Sequence, residues 1–465
     1  MLASTCCRED PMRDHPGISP LKSLLELTPE EFPAYIEVLR KKVVNAGNRL
    51  HDFAEFTMDL CSYLVRWSLQ KPGDPKALAD EVITGEISKN IELLREAGAE
   101  NEVKRIEDAR RRFAKSNLIK LSQACDSGAI NTRWGNDYAS GLREAMRKGA
   151  VLVTTNPQLV DLARRDDPAT WDSVKAALQR SRPGATGAEL ATAMTMQVVL
   201  KNARELRPIY ELTGGRLGYV SLQVNPKNSS DSEGMIREAE GIYQDLTREL
   251  GGPPNVVFKV PATRAGLDVA RELTSQGIGV NVTVNFSVAQ EVAFAEVIEE
   301  GKAPVSFLTL MAGRLDDPVA IELEGLGVSD AKELSTWAGV AVGRKVYRLL
   351  YDGGRGYKRS SLLIASLRGP WHIDRLIGAG SSLLYITVFP DKAEQYDREP
   401  RSISPRLGED VPEEIIRRLR KSDLFNKAYD EDGLEPADFD SYPPVQATLK
   451  SFAKAYDEFV LYVMS

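Results

Sequence analysis

A lysine within an apolar run is the residue of this sequence best suited to covalent chemistry. Lys259 lies in the run from Val256 to Pro261, in which every other residue is apolar. Burial disfavours the ammonium ion and lowers the pKa of a lysine, and a neutral amine can attack a carbonyl group to form an iminium ion. The alternative interpretation is a strand lysine that is held in an ion pair.

Isolated polar residues also stand at or near the ends of other apolar runs. They are Asp126, Thr154, Thr155, Asn156, Gln223, Asn281, Thr283, Thr309, Arg314, Ser366 and Arg368. One polar group at each strand end is typical of an active site built by a barrel. Taken singly, a threonine or asparagine in such a place is more often a turn former.

The elements that would position these residues are eight short apolar runs separated by segments long enough for a helix. The predicted strands are 119–125, 151–155, 219–224, 256–260, 279–284, 305–310, 361–366 and 383–388. Apolar strands that alternate with helices favour a parallel sheet buried on both faces, and eight such units favour a closed barrel. We therefore predict the α/β class and a (β/α)8 TIM barrel, with long connections at 157–218 and 312–360 on its catalytic face.

The segments that flank the predicted barrel have a different residue pattern. We interpret residues 1–20 as a flexible start, 21–118 as a helical extension and 119–390 as the barrel. Residues 391–465 are interpreted as a tail with a helix near 444–462 that packs on the barrel. The extension is interpreted as a cap or a dimer-forming layer, which leaves a homodimer open, and a separate regulatory role is the alternative.

Composition and net charge narrow the classes of molecule that this protein is expected to bind. Apolar residues make up 42% of the 465 residues and the formal net charge is −7, which gives no electrostatic reason to expect nucleic acid or an anionic membrane. Four cysteines without zinc spacing and three histidines argue against a metal site or a disulfide framework. We predict no metal, no cofactor and a cytoplasmic location, because neither a membrane span nor a secretory signal is evident.

Two blocks of sequence, one containing the lysine and one following it, resemble the motifs of a known family. Residues 258–266 carry the lysine and a small-residue turn, and residues 277–287 carry Gly-Ile-x-x-Asn-x-Thr followed by Phe-Ser. This pattern resembles the signature around the Schiff-base lysine of the transaldolase family. Further segments resemble the family's other strand-end motifs in the same order, at 153–157, 220–224, 313–317, 365–368 and 386–390.

The resemblance implies a role for each catalytic residue. Lys259 would attack the ketone of a sugar phosphate, and Asp126 would act as acid and base on the hydroxyl whose deprotonation breaks the carbon–carbon bond. Thr283, with Gln223, would hold a water that relays protons at the lysine. The implied substrate-binding residues are Thr154, Asn156, Asn281, Thr309 and Met311, and the implied phosphate-binding residues are Arg314, Ser366 and Arg368.

Three positions depart from the usual transaldolase pattern. Gln223 stands where transaldolases carry a glutamate, and glutamine can orient a water but cannot accept its proton. The related fructose-6-phosphate aldolases carry glutamine there, together with a tyrosine where this chain has Met311. Thr309 replaces the usual serine. These departures leave the acceptor and the fate of the enamine open.

Three functions are consistent with these residues. The favoured one is a transaldolase that moves a dihydroxyacetone unit from a ketose phosphate to an aldose phosphate. The alternative is an aldolase-type lyase that uses the same lysine, which Gln223 favours. The third is an inactive barrel that binds a sugar phosphate, against which the presence of Lys259, Asp126 and two phosphate-binding arginines argues.

Overall fold

Eight parallel strands close into a barrel in which each strand pairs with its neighbours along the chain. The computed structural model describes residues 23–46, 49–68 and 77–465. The strands are β1 (Thr132–Asn136), β2 (Leu152–Thr154), β3 (Tyr219–Gln223), β4 (Val256–Pro261), β5 (Val280–Asn285), β6 (Ser306–Leu310), β7 (Ser360–Ile364) and β8 (Leu384–Val388).

Helices surround this barrel and also form a separate unit. Numbered along the chain, the α-helices are α1 (Phe32–Ala46), α2 (Leu50–Leu60), α3 (Leu64–Ser68), α4 (Asp80–Glu96), α5 (Glu100–Lys115), α6 (Asn117–Asp126), α7 (Leu142–Arg147), α8 (Pro157–Asp166), α9 (Pro168–Ser181), α10 (Gly187–Leu212), α11 (Ser232–Leu250), α12 (Arg264–Ser275), α13 (Val288–Glu300), α14 (Ala312–Gly325), α15 (Ala331–Ser335), α16 (Ala338–Leu350), α17 (Pro370–Leu376), α18 (Pro390–Asp397), α19 (Glu413–Leu419), α20 (Asp423–Tyr429) and α21 (Pro443–Met464). Short 3-10 helices lie at Leu24–Glu26, Pro226–Asn228 and Pro436–Ser441.

Side chains fill the barrel interior in layers. Near the amino ends of the strands, the ring of Phe307 packs edge-on against Tyr219 and Tyr385, with centroid distances of 6.4 and 5.0 Å. Nearer the carboxyl ends the interior becomes polar. Because the aromatic layer closes one end, access to the polar interior is from the carboxyl ends of the strands, as in other barrels of this architecture.

Seven of the eight predicted strands are confirmed to within about two residues, and the first is wrong. Residues 119–125 lie in α6, whose N-cap Ser116 accepts a hydrogen bond from the backbone N–H of Ile119. The first strand is instead 132–136, a run in which Trp134 is the one large apolar residue. Gly135 is required there, because a Cβ atom would lie 2.8 Å from the carbonyl oxygen of Leu152 in β2.

The described residues divide into two compact units. The barrel unit comprises Phe113–Ala163 and Thr195–Tyr462, and the helical unit comprises the described residues up to Arg112 together with Arg164–Met194 and Val463–Ser465. The described residues of the predicted extension at 21–118 form helices joined by short turns, whereas the predicted flexible start at 1–20 lies outside the described residues. The assignment of 164–194 to the helical unit was not predicted.

A buried polar network links three helices of the helical unit. Arg40 of α1 donates from Nε to Oδ1 of Asn90 at 3.0 Å, and Nδ2 of Asn90 donates to Oγ1 of Thr57 at 3.1 Å. Glu86 accepts a further hydrogen bond from the Arg40 guanidinium. These bonds satisfy polar groups beside the apolar core that includes Phe53 and Ile87.

No helix among the described ranges is both long enough and apolar enough to cross a membrane.

A buried carboxyl group on α13 predicts how stability changes with pH. Glu291 is fully buried with the Asn285 side chain as its polar neighbour, and burial raises its pKa well above the ordinary value. The folded state therefore retains a proton that the unfolded state releases above about pH 4.3. We expect the contribution of Glu291 to the free energy of unfolding to fall by about 1.4 kcal/mol per pH unit from there until the folded-state pKa is passed.

Glu291→Gln should flatten this dependence, because the amide keeps the shape of the side chain without a titrating proton. Urea unfolding between pH 4 and 8 measures the effect. Glu296→Gln on the same helix, where the side chain is 51% exposed, is the matched control and should retain the wild-type slope. Equal slopes for wild type and Glu291→Gln would contradict the prediction.

Candidate active site

Lys259 reaches into the polar interior from the middle of β4. The residue is 4% exposed, and its Nζ donates a long hydrogen bond of 3.4 Å to the backbone carbonyl of Thr155. Burial is the main cause that lowers its pKa to about 8; the positive charge of Arg314 acts in the same direction and the negative charge of Asp137 opposes it. Such an amine is neutral in about one molecule in ten at pH 7, which is enough for nucleophilic attack.

The carboxylate that shares this space is Asp137, directly after β1. Oγ1 of Thr154 donates a hydrogen bond of 2.6 Å to Oδ1 of Asp137 and so joins the ends of β1 and β2. The charge of Asp137 acts on both Lys259 and Arg314. Asp137 is therefore placed to exchange a proton with a group bound at the lysine.

Asp126, the predicted acid and base, lies elsewhere. It ends α6, and its Oδ1 forms a 2.8 Å ion pair with Arg133, the second residue of β1. This position is near the amino end of β1, whereas Lys259 contacts the residue that follows β2. The prediction that Asp126 closes the first strand is wrong, because 119–125 is helical.

A layer of hydrogen-bonded polar side chains lies beside the lysine. Asn281, which pairs in register with Lys259, donates from Nδ2 to Oγ of Ser221 at 2.9 Å and accepts from Oγ1 of Thr309. Asn281 is fully buried and Thr309 is 1% exposed. Asn281 and Thr309, two of the five predicted substrate-binding residues, are thus engaged with protein partners, and their bonds link β3, β5 and β6.

The two residues predicted to hold a water, Gln223 and Thr283, come from β3 and β5. Gln223 ends β3 beside Lys259 in the register, and its Oε1 is a buried acceptor without a partner among the described residues. Oγ1 of Thr283 donates to Sδ of Met311 at 3.9 Å. The glutamine oxygen is therefore the acceptor that a substrate hydroxyl or a reaction water can satisfy.

Asn156 stands at the start of α8. Its Oδ1 accepts a 3.0 Å hydrogen bond from the backbone N–H of Leu159 and caps the helix. The side-chain NH2 group is then the part of Asn156 suited to contact a substrate oxygen.

Arg314 lies in the first turn of α14, immediately after β6. Its guanidinium carbon lies 5.4 Å from the ring centroid of Phe452 in α21. Burial, and then the charge of Arg368, lower its pKa, while the charges of Asp137 and Asp317 raise it. A half-buried cation beside a helix amino terminus is suited to bind an anion.

Arg368 stands beside Arg314, in the loop that follows β7. Its Nε lies 3.1 Å from each oxygen of Asp317, its Nη2 donates to Oδ2 at 2.6 Å, and its Nη1 donates to the carbonyl of Ser366 at 3.0 Å. Ser366 has a φ of 61°, a conformation that few non-glycine residues adopt. Gly313 lets α14 approach this loop, since a Cβ atom there would lie 2.2 Å from the Ser366 carbonyl oxygen.

The structure brings the predicted residues other than Asp126 to one end of the barrel, where Asp137 also lies. Asp137 was missed because its strand is a polar run, and an apolar-run search selects the helix at 119–125 in its place. The number of residues between the predicted first and second strands could have revealed the missing strand. The 25 residues between 126 and 152 exceed what the single short helix α7 needs, which leaves room for a strand between them.

Comparison of the sequence with known proteins identifies the family to which the chain is similar. The model of the transaldolase/fructose-6-phosphate aldolase family matches residues 140–458, which begin three residues after Asp137. A transaldolase 1 of Streptomyces avermitilis is 34% identical over 226 residues, covering 46% of this chain and 58% of the relative. A transaldolase of Thiobacillus denitrificans is 28% identical over 309 residues, covering 58% of this chain and 83% of the relative.

The aligned part of the chain thus covers less than two thirds of the length of the Streptomyces protein and more than two thirds of the length of the Thiobacillus protein. The family match extends from the loop after β1 to α21 and includes the lysine, the polar layer and both arginines. With a closed eight-stranded barrel as its scaffold, this chain belongs to the transaldolase/fructose-6-phosphate aldolase family.

Proposed function

We propose that this protein transfers a dihydroxyacetone unit from a ketose phosphate to an aldose phosphate through a Schiff base on Lys259. The observation that carries the proposal is an amine, buried at the carboxyl ends of the strands, whose pKa is lowered to about 8. Its hydrogen bond is to a backbone carbonyl rather than to a carboxylate. A fraction of the molecules therefore carries the neutral amine that attack on a ketone requires.

The first half-reaction balances with the groups present. The neutral amine of Lys259 adds to the keto carbon, and the carbinolamine takes up a proton from solvent and loses water to leave an iminium ion. Asp137 accepts the proton of the hydroxyl on the carbon beyond the bond that breaks, and the electron pair of that bond moves into the iminium to give an enamine. An aldose phosphate leaves, and the enamine then attacks the aldehyde carbon of the acceptor while Asp137 returns its proton, which re-forms an iminium ion on Lys259. Water then hydrolyses this iminium, which releases the new ketose phosphate and restores the amine.

The phosphate group of the substrate is proposed to bind between the two arginines. Arg314 and Arg368 repel each other, so an anion between them relieves the repulsion. Ser366, in the same loop as Arg368, supplies a hydroxyl, and the first turn of α14 supplies backbone N–H groups that lack intrahelical partners. The distance between the lysine and this anion site would define the length of the sugar.

An aldolase-type lyase that uses the same lysine is the second candidate, and Gln223 favours it. A transferase must keep the enamine until an acceptor arrives, whereas a lyase protonates it and hydrolyses the iminium. Glutamine at 223 can orient a water but cannot remove its proton. The balance between transfer and release then depends on this position.

Gln223→Glu tests that dependence. A carboxylate there could activate the water together with Thr283, as the resemblance to transaldolases implies, so we expect the ratio of transfer to release to rise about 3-fold or more. Product analysis with one ketose phosphate donor, with and without an aldose phosphate acceptor, measures the ratio. Gln158→Glu, on α8, is the control of equal charge change and should leave the ratio unaltered; an unchanged ratio in Gln223→Glu would refute the argument.

Borohydride trapping tests the proposal itself. Reduction in the presence of fructose 6-phosphate should attach either the whole sugar or a three-carbon unit to Lys259, which peptide mass spectrometry locates. An adduct on another lysine, or no adduct, would refute the Schiff-base mechanism and favour an inactive binding barrel.

A further inference from the structure

A buried histidine and aspartate lie behind the loop that carries Arg368. His372 of α17 is fully buried, and its Nε2 lies 2.9 Å from Oδ2 of Asp316, whose side chain is 5% exposed. The N–H direction is not aligned with this contact, so it is an electrostatic contact rather than a straight hydrogen bond. Taking an imidazole and a carboxylate out of water costs desolvation free energy, so this pair is a candidate for a role other than stability.

The other ring nitrogen contacts the phosphate-site loop. Nδ1 of His372 accepts a hydrogen bond of 3.3 Å from the backbone N–H of Arg368. A neutral ring that accepts at Nδ1 carries its proton on Nε2, the nitrogen that faces Asp316. The histidine therefore connects the Arg368 backbone to the carboxylate with a defined tautomer.

Two neighbouring carboxylates of α14 hold this loop from different sides. Asp316 also accepts a hydrogen bond of 2.9 Å at Oδ1 from the backbone N–H of Gly339, so it is fixed against α16. Asp317 binds the guanidinium of Arg368 through Nε and Nη2. The backbone of Arg368 is thus held through His372, and its side chain is held through Asp317.

The loop needs such support because two features oppose its position. Arg314 and Arg368 are like charges side by side in a half-buried place. Ser366 has a positive φ, which is an unfavourable conformation for a residue with a side chain. Conformations of this kind persist where surrounding contacts fix them.

We propose that His372 and Asp316 are positioning residues that hold Arg368 and Ser366 beside Arg314 before the substrate binds, and so set the preference for a phosphorylated ketose over its unphosphorylated counterpart. The proposal rests on the phosphate site of the proposed function. Neither residue touches the substrate. Preorganisation of the two arginines reduces the cost of ordering the loop on binding.

The test compares fructose 6-phosphate with fructose in borohydride trapping, using the sugar concentration that gives half-maximal adduct. His372→Phe keeps a ring but removes both nitrogens, and should raise this concentration about tenfold for fructose 6-phosphate and less than about twofold for fructose. His372→Asn, whose Oδ1 can replace Nδ1 as acceptor, should recover part of the loss. Inorganic phosphate should compete about tenfold less well in His372→Phe.

Two controls separate this proposal from the function on which it rests. Asp374→Asn, on the same helix, removes a 2.7 Å ion pair with Arg401 and should affect both sugars equally or not at all. Arg314→Ala should weaken trapping of fructose 6-phosphate strongly. If Arg314→Ala has no effect, the phosphate site itself is refuted; if it has an effect and His372→Phe weakens both sugars equally or neither, the positioning role alone is refuted.

A measurement on the unaltered protein covers the case in which His372→Phe fails to fold. Nitrogen-15 NMR of histidine-labelled protein should show His372 as the neutral Nε2–H tautomer, and inorganic phosphate should shift its signals but not those of His51 in the helical unit. A proton on Nδ1, or no response of His372 to phosphate, would overturn the proposal.

Discussion

Lys259→Met will lose the borohydride adduct and reduce turnover by a factor on the order of 10⁴ or more, as expected for removal of a covalent nucleophile. Methionine preserves the length and volume of the buried side chain, so the barrel retains its packing. The loss then follows from the absent amine and not from a cavity. Adduct formation by mass spectrometry and steady-state turnover measure the two effects.

The same substitution should stabilise the protein at neutral pH, which separates loss of function from loss of fold. The pKa of Lys259 falls from 10.5 to about 8 in the folded state, so the unfolded state binds more protons between these values. Folding is therefore penalised by about 3 kcal/mol below pH 8, and the penalty disappears as the pH rises to about 10.5. Lys259→Met should gain up to this amount at pH 7 and nothing at pH 10.5.

The pH dependence of wild-type trapping gives a matching signature. The adduct rate should rise about tenfold from pH 6 to pH 7 and level off above pH 8, as the neutral amine becomes the main form. Lys302→Met, at an exposed position after α13, is the control and should follow the wild-type profile. A flat profile, or an adduct that survives in Lys259→Met, would contradict the assignment.

The sequence predicted most of the barrel because buried parallel strands require apolar runs. The strands around Lys259 and Asn281 stand out as short β-branched segments, and their polar residues are conspicuous for that reason. The run 132–136 lacks this signal, since its close approach to β2 demands Gly135 and its remaining residues are mostly polar. Local patterns therefore found the lysine and missed the carboxylate.

Features that depend on contacts between distant segments could not be predicted from the sequence. His372 and Asp316 are 56 residues apart, and nothing in their local patterns indicates that α14 and α17 bring them to 2.9 Å. The same holds for Phe452, which reaches Arg314 from the C-terminal helix. Periodicity assigns an element to a segment, but it does not say which faces meet.

Asp137→Asn should reduce turnover by about 10²–10⁴, the range for a general acid and base. Schiff-base formation should persist, because asparagine keeps the hydrogen bond from Thr154 and leaves Lys259 in place. Removal of the negative charge also lowers the pKa of Lys259 further, which favours the neutral amine at pH 7. Trapping with fructose 6-phosphate should therefore yield mainly the whole sugar on the lysine, since the carbon–carbon bond no longer breaks.

Asp126→Asn is the matched control. Asp126 is the acid and base that the sequence predicted, but it lies near the amino end of β1, away from Lys259. The substitution removes the 2.8 Å ion pair with Arg133 and should cost about 1–3 kcal/mol of stability. Turnover and the mass of the trapped adduct should stay within about twofold of wild type, a change below about 0.4 kcal/mol. If Asp126→Asn blocks bond cleavage and Asp137→Asn does not, the acid and base would have to reach the substrate from the opposite end of β1, which the aromatic layer of Tyr219, Phe307 and Tyr385 closes.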